Sequence, residues 1–101
     1  MPTLNITTFL VTEFMDSWNY RILAFKHPRR PNSIYFECRT VYYTDDVPNA
    51  FTAEPAVLYG LNKKSLRWEL NALKEAMSKP ILWGEEGKFP RKYKRLKKKV
   101  E

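Results

Sequence analysis

The chain has 101 residues, is 44% hydrophobic and 15% aromatic, and carries a formal net charge of +7. That suits one small domain with a core of its own and excludes a disordered chain. The charge is uneven: residues 1–84 are net +2 and residues 85–101 net +5, which points to an anionic partner or to a basic end kept for solubility.

A single cysteine, Cys38, allows no internal disulfide and points to a reducing compartment. The opening MPTLNITTFLVTEF has no basic n-region and carries Glu13, unlike a secretory signal. No apolar run approaches the ~20 residues that span a bilayer. The chain therefore reads as soluble and cytoplasmic. It has no internal repeat and no low-complexity segment apart from the basic end.

Residues 1–17 form an N-terminal extension, either strand or helix. Leu4, Ile6, Leu10 and Phe14 have even spacings, yet Ile6, Leu10 and Phe14 also fit i, i+4, i+8, while several β-branched residues favour a strand. Asn19–Lys26 reads as a strand. The HPRRPN stretch from His27 to Asn32 reads as a loop because proline donates no ladder bond. Ser33–Thr44 is the clearest strand. One face holds Ile34, Phe36, Cys38, Thr40 and Tyr42 and is core-like at one end. The other holds Tyr35, Glu37, Arg39, Val41 and Tyr43 and reads as half-exposed.

Asp45 to Asn49 turns the chain, and Ala50–Tyr59 reads as a third strand whose Pro55 demands an edge or a bulge. Asn62 is a good N-cap for a helix in which Leu66, Leu70, Leu73 and Met77 make one apolar stripe, expected to cover the sheet. Ser78-Lys79-Pro80 stops it. Ile81-Leu82-Trp83 is a short apolar segment that pairs as a strand or simply packs, and Gly84 to Gly87 reads as a flexible break.

The last stretch has an order of its own. Phe89, Tyr93, Leu96 and Val100 fall at i, i+4, i+7, i+11, Pro90 suits a first helical turn, and Lys97 to Lys99 suit a last one. The spacing predicts a short basic amphipathic helix over 90–100, docked on its own domain with lysines outward. The fold class is therefore α+β: a three- or four-stranded antiparallel meander covered by one long helix, plus the short basic C-terminal helix. A single domain spans residues 18–83, followed by a basic extension over 84–101.

Chemistry is sparse. One His and one Cys give no metal-ligand spacing, and His27 beside Pro28 reads as a loop residue. Cys38 reads as a buried structural thiol. Asp45 and Asp46 suit a turn better than acid–base pairing, Glu85 and Glu86 read as solvated, and three glycines make no phosphate loop. Neither a cofactor nor a catalytic set is expected; Asp45, Glu54 and His27 are all an enzyme reading has.

Binding candidates are better placed. Lys63, Arg67 and Lys74 lie within roughly 40° of one another on a helical wheel, a basic flank beside the leucine stripe. Trp68 points away from the stripe, beside Ala72 and Glu75, either as a contact residue or packed beneath the tail or the loop after Gly84. In the tail, Arg91, Lys92, Tyr93, Lys94, Arg95 and Lys98 combine cations with an aromatic ring able to stack on a base.

The segments Val41-Tyr42-Tyr43-Thr44-Asp45, Phe51-Thr52-Ala53-Glu54-Pro55 and Ala76-Met77-Ser78-Lys79-Pro80-Ile81-Leu82 resemble a family of small uncharacterised bacterial proteins. That family carries V-Y-Y-x-D, aromatic-T-x-E-P and A-x-x-K-P-[IV]-L segments, with S-L-x-x-L between; here Ser65 to Leu70 lies one residue out of strict register. The likeness spans Trp18 to Trp83 and is more specific as a set than piece by piece. Its relatives tend to be acidic where this chain has Lys63-Lys64. The resemblance implies no activity. The order of elements is also similar to that of HicB-type antitoxins, without their glycine-rich strand pattern. With a helical N-terminus it is similar to double-stranded RNA-binding domains, whose lysine-rich helix start implies phosphate contacts at Lys63 and Lys64.

These readings give a small non-catalytic interaction module, of a bacterial or phage type, that works through a protein partner or self-association. The alternative is a nucleic-acid (RNA) binding module using the basic helix flank and tail; a membrane surface is disfavoured.

Overall fold

The computed structural model describes residues 15–94. The strand-or-helix alternative for the N-terminal segment falls mostly on residues outside this range, as do Arg95, Lys98 and most of the expected C-terminal helix.

The elements are β1 (Ser17–His27), β2 (Arg30–Thr44), β3 (Val47–Phe51), α1 (Lys63–Ser78) and β4 (Leu82–Trp83). β1 and β2 form a long antiparallel hairpin, paired from Ser17 with Tyr43 to Lys26 with Ile34. The prolines of the HPRRPN stretch do not make it a six-residue loop. A register shift between Lys26 and His27 absorbs Pro31 to Ser33 within the start of β2.

The second turn is also tighter than expected. Asp45 and Asp46 have φ of 50° and 65°, a left-handed pair forming a two-residue hairpin loop that aspartate tolerates better than most residues. β3 therefore starts at Val47, and a register shift at Tyr42/Tyr43 accommodates Pro48 on this edge. β3 also ends early, at Phe51. The Arg39 guanidinium takes the carbonyls of Thr52 and Ala53 at 2.6 and 2.9 Å, which bends the chain out of the ladder. The expected third strand, Ala50–Tyr59, is thus mostly irregular.

α1 begins where expected. Asn62 Oδ1 accepts from the Ser65 amide at 2.9 Å and Ser65 Oγ accepts from the Asn62 amide at 3.2 Å, a reciprocal cap. Pro80 follows the C-cap, Lys79. The helix is a crossover from β3 at one edge to β4 at the other. β4 consequently runs parallel to β1, and the sheet, in the order β3-β2-β1-β4, is mixed rather than a purely antiparallel meander.

Both faces of the sheet carry a core. Residues directly opposite across β1 and β2 share a face. On the helix side, Tyr20 and Ile22 pack with Ala76, flanked by Cys38, Ala56, Ala72, Leu73 and Ile81. On the far side, Leu23, Phe25, Val41, Tyr43 and Leu82 form a second cluster, joined by Phe51 and Phe89. The β2 face expected to be half-exposed is therefore buried at Arg39, Val41 and Tyr43. Gly84 is no flexible break either. It is buried against the Phe25 ring, with no room for a Cβ, and its amide donates to the Ala24 carbonyl at 2.8 Å.

The predicted C-terminal helix is absent from residues 90–94. A turn closed by the Arg91 amide on the Lys88 carbonyl at 2.8 Å leads instead into edge pairing: Trp83 donates to the Arg91 carbonyl and Tyr93 to the Ile81 carbonyl, each at 2.8 Å, with an antiparallel bridge between Leu82 and Lys92. A two-residue strand leaves an edge of unpaired backbone groups, and residues 91–93 satisfy them. The helical spacing misled because its aromatics serve opposite faces. Phe89 packs on Phe51 at 4.8 Å, while Tyr93 packs on Trp83 at 5.0 Å and on Phe36 at 5.5 Å. Among the described residues, no helix is long and apolar enough to cross a membrane.

Candidate interaction surfaces

Of the predicted leucine stripe, Leu73 packs on the helix-side core while Leu66, Leu70 and Met77 turn outward. The helix turns Ser65, Glu69, Ala72 and Ala76 toward the sheet, with Leu73 at the margin. Two things fix that rotation. Tyr20 donates its hydroxyl proton to Glu69 Oε2 at 2.6 Å, and the small Ala72 and Ala76 let the helix lie close over Tyr20 and Ile22. Burial, helped by Glu69, holds the Tyr20 phenol above its usual range.

The other side of the helix is left open. Leu70 is 47% exposed and Met77 68%, with Leu66 exposed in line with them. Leu61, Val57 and Tyr59, in the loop before the helix, are exposed as well. Met77 rims a hollow of about 280 Å³ that includes Ile22, Cys38 and Ile81 and ends at Phe36. Phe36 in turn meets Tyr93. A mostly apolar path, interrupted by Glu37 in the lining of the hollow, therefore runs from the helix across the end of the sheet to the start of the basic tail.

The sequence-predicted cations line this path. Lys63, Arg67 and Lys74 are all exposed, and the helical period places them along one edge of the Leu66–Leu70–Met77 row. Arg91, Lys92 and Lys94 are exposed on either side of half-buried Tyr93. Lys88 lies 4.3 Å over the Trp83 ring, and the neighbouring Lys26 draws its ammonium below the usual lysine range.

Trp68 is 57% exposed. It borders a groove of about 240 Å³ shared with Trp18, Tyr20, Ala72 and Glu75. Its predicted neighbours, Ala72 and Glu75, are the ones it has. Trp83 is the tryptophan that meets the tail.

Of the groups an enzyme reading would use, His27 and Asp45 lie at opposite ends of the β1–β2 hairpin. Among the described residues, no three His, Cys, Asp or Glu side chains are grouped to hold a metal ion. His27 Nδ1 accepts from the Arg29 amide at 3.2 Å, and Asp45 sits in the hairpin loop. Burial, with the Glu69 charge, pushes the Cys38 thiol up to about 11, which keeps it un-ionised at neutral pH. Sequence reasoning named the basic flank and Trp68, placed Leu73 against the core, and missed the exposure of Leu66, Leu70 and Met77. The signal was present: Ser65, Glu69, Ala72 and Ala76 have the same i, i+4, i+7, i+11 spacing with small residues.

Comparison with known proteins finds no matching family, no matching curated protein and no matching solved structure. The segment resemblance rests on its own residues.

Proposed function

We propose that the protein is a small non-catalytic interaction module, cytoplasmic and of a bacterial or phage type, whose partner is an acidic amphipathic protein segment. One observation carries this reading: an outward row of Leu66, Leu70 and Met77 edged by Lys63, Arg67 and Lys74. Apolar anchors docking into a groove, with carboxylates meeting a basic rim, is a recurring mode of helix recognition. The same rim argues against a second copy as the occupant, because self-docking through this face brings like charges together.

The test is fluorescence anisotropy with a labelled amphipathic peptide, leucine on one face and glutamate on its flanks, beside a twin with lysine for glutamate. The glutamate peptide binds, more weakly as salt rises, and Leu70→Lys abolishes binding. Equal binding of the lysine twin, or indifference to Leu70→Lys, refutes the reading.

A second reading has its own support. Exposed Arg91, Lys92 and Lys94 are carried on an extended segment anchored at Tyr93, a form suited to phosphate contacts with nucleic acid. Salt-titrated anisotropy with duplex RNA, duplex DNA and single strands tests it: binding lost on Lys63→Ala/Arg67→Ala supports an RNA site, and equal binding to every polyanion reduces the tail to a generic cation.

A further inference from the structure

On the face of β1 turned away from the helix lies Arg21, only 9% exposed. Its Nη1 donates to the Tyr43 hydroxyl and its Nη2 to the Pro80 carbonyl, both at 2.8 Å. Both acceptors are neutral. Its Nε is buried with no acceptor at all. A guanidinium taken out of water without a counter-charge is costly.

Its cross-strand partner shows what compensation looks like. Arg39, opposite Arg21 in the ladder, is equally buried. It pairs with Glu37 at 2.6 Å, donates to two backbone carbonyls and lies 4.4 Å over the Phe25 ring, although its Nε too is buried without an acceptor. Among the described residues that is the one ion pair, so Arg21 has no carboxylate against it.

Beside Arg21 opens a hollow of about 410 Å³ lined also by Asn19, Tyr43, Asp46 and Lys79. Lys79 brings a second cation, in no ion pair among the described residues. The Tyr43 hydroxyl accepts from Arg21, which leaves its own proton to donate. Asn19 Oδ1 is buried without a donor. Amide oxygen and nitrogen are told apart only by their partners, and turning this amide over presents an N–H₂ instead. The hollow is thus lined by two cations, a phenol and the Asp46 carboxylate, with the unpartnered Asn19 oxygen and Arg21 Nε just beneath its surface.

We propose that this hollow binds a carboxylate group. The spare N–H on each Arg21 Nη and the Lys79 ammonium offer the fork and the point charge that a carboxylate accepts. Asp46 on the rim selects the monoanion and repels a phosphate dianion. The carboxylate belongs either to a free organic acid or to a peptide, as its C-terminus. This site shares no residue with the leucine row, so its failure and the failure of the proposed partner site are separately visible.

The experiment is a nitrogen–proton NMR titration of the full chain at constant ionic strength, following the Arg21 Nε–H signal and the amides of Asn19, Asp46 and Lys79. Sodium acetate, sodium phosphate, a short peptide with a free C-terminus and the same peptide amidated are the probes, with sodium chloride as the baseline. Saturable shifts confined to these residues with acetate support the proposal. A tighter free peptide, with its amidated form silent, assigns the source as a chain terminus; acetate alone assigns a free acid. Lys79→Ala weakens acetate binding about fivefold, the worth of one partly exposed ion pair, and Tyr43→Phe weakens it while leaving the apo spectrum folded. Shifts that do not saturate, phosphate binding tighter than acetate, or a Lys79→Ala variant that binds as well as the parent overturn it. Arg21 is then a structural strut between β1, Tyr43 and Pro80.

Discussion

Truncating Leu70 to alanine separates two accounts of the helix. If the leucine stripe were the core, Leu70→Ala would cost the ~2–5 kcal/mol of a buried Leu→Ala change. In this structure Leu70 keeps 47% of its surface in water. Fully burying a leucine contributes ~1.5–3 kcal/mol, so roughly half of that is at stake, and water fills the space vacated. The expected cost is about 1 kcal/mol. Met77, 68% exposed, loses about 0.5 kcal/mol on the same scale. Leu23, fully buried on the far face, is the internal standard at about 3 kcal/mol or more. Urea unfolding of the three variants reads these differences as midpoint shifts at constant slope. In a thermal melt, Leu70→Ala moves the midpoint down by about 4–8 °C. A Leu70→Ala cost equal to that of Leu23→Ala refutes the reasoning, because the stripe would then be packed against something.

Other predictions follow from the turns and the thiol. Asp46→Gly raises stability by about 0.5–1 kcal/mol, measured by urea unfolding, since glycine adopts the left-handed φ of 65° without a Cβ penalty. Gly84→Ala lowers it by about 1–3 kcal/mol because the new methyl group meets the Phe25 ring; a neutral result means that the 84–89 turn is not seated as described. Cys38 reacts with a thiol reagent at pH 8 far more slowly in the folded chain than in urea. Its folded pKa, raised to about 11 from 9.0, also sets a sign. Above pH 9 the unfolded thiol ionises first, so the folded state loses stability as pH climbs from about 9 to about 11. Cys38→Ser removes that part of the alkaline slope, leaving the part due to the tyrosines that burial raises, Tyr20 and Tyr42.

The elements that were legible in sequence were those set by local chemistry. Asn62, Ser65 and Pro80 bound the helix whatever it packs on, and alternation over Ser33–Thr44 marked its strand. What sequence could not supply was which neighbour each face meets. The stripe of large apolar residues looked like the core, yet a tyrosine with its own hydrogen-bond partner, Glu69, sits best over alanines. Phe89 and Tyr93 looked like one helical face, yet the unpaired edge of Leu82–Trp83 draws the chain out and sends the two rings to opposite sides of the sheet. Arg21 drew no notice as a binding residue because its isolation depends on Pro80 and Tyr43 arriving from far along the chain. The basic residues named in advance that the structure describes are all exposed, but exposure is what charge alone predicts.

The most direct test of the partner site is an amide NMR map of the full chain titrated with the acidic amphipathic peptide. The account predicts saturable shifts along Leu66, Arg67, Leu70, Lys74, Met77 and Phe36, with Trp18 and Val41 unmoved. Shifts centred on the Trp18–Trp68 groove, or none that saturate, contradict it.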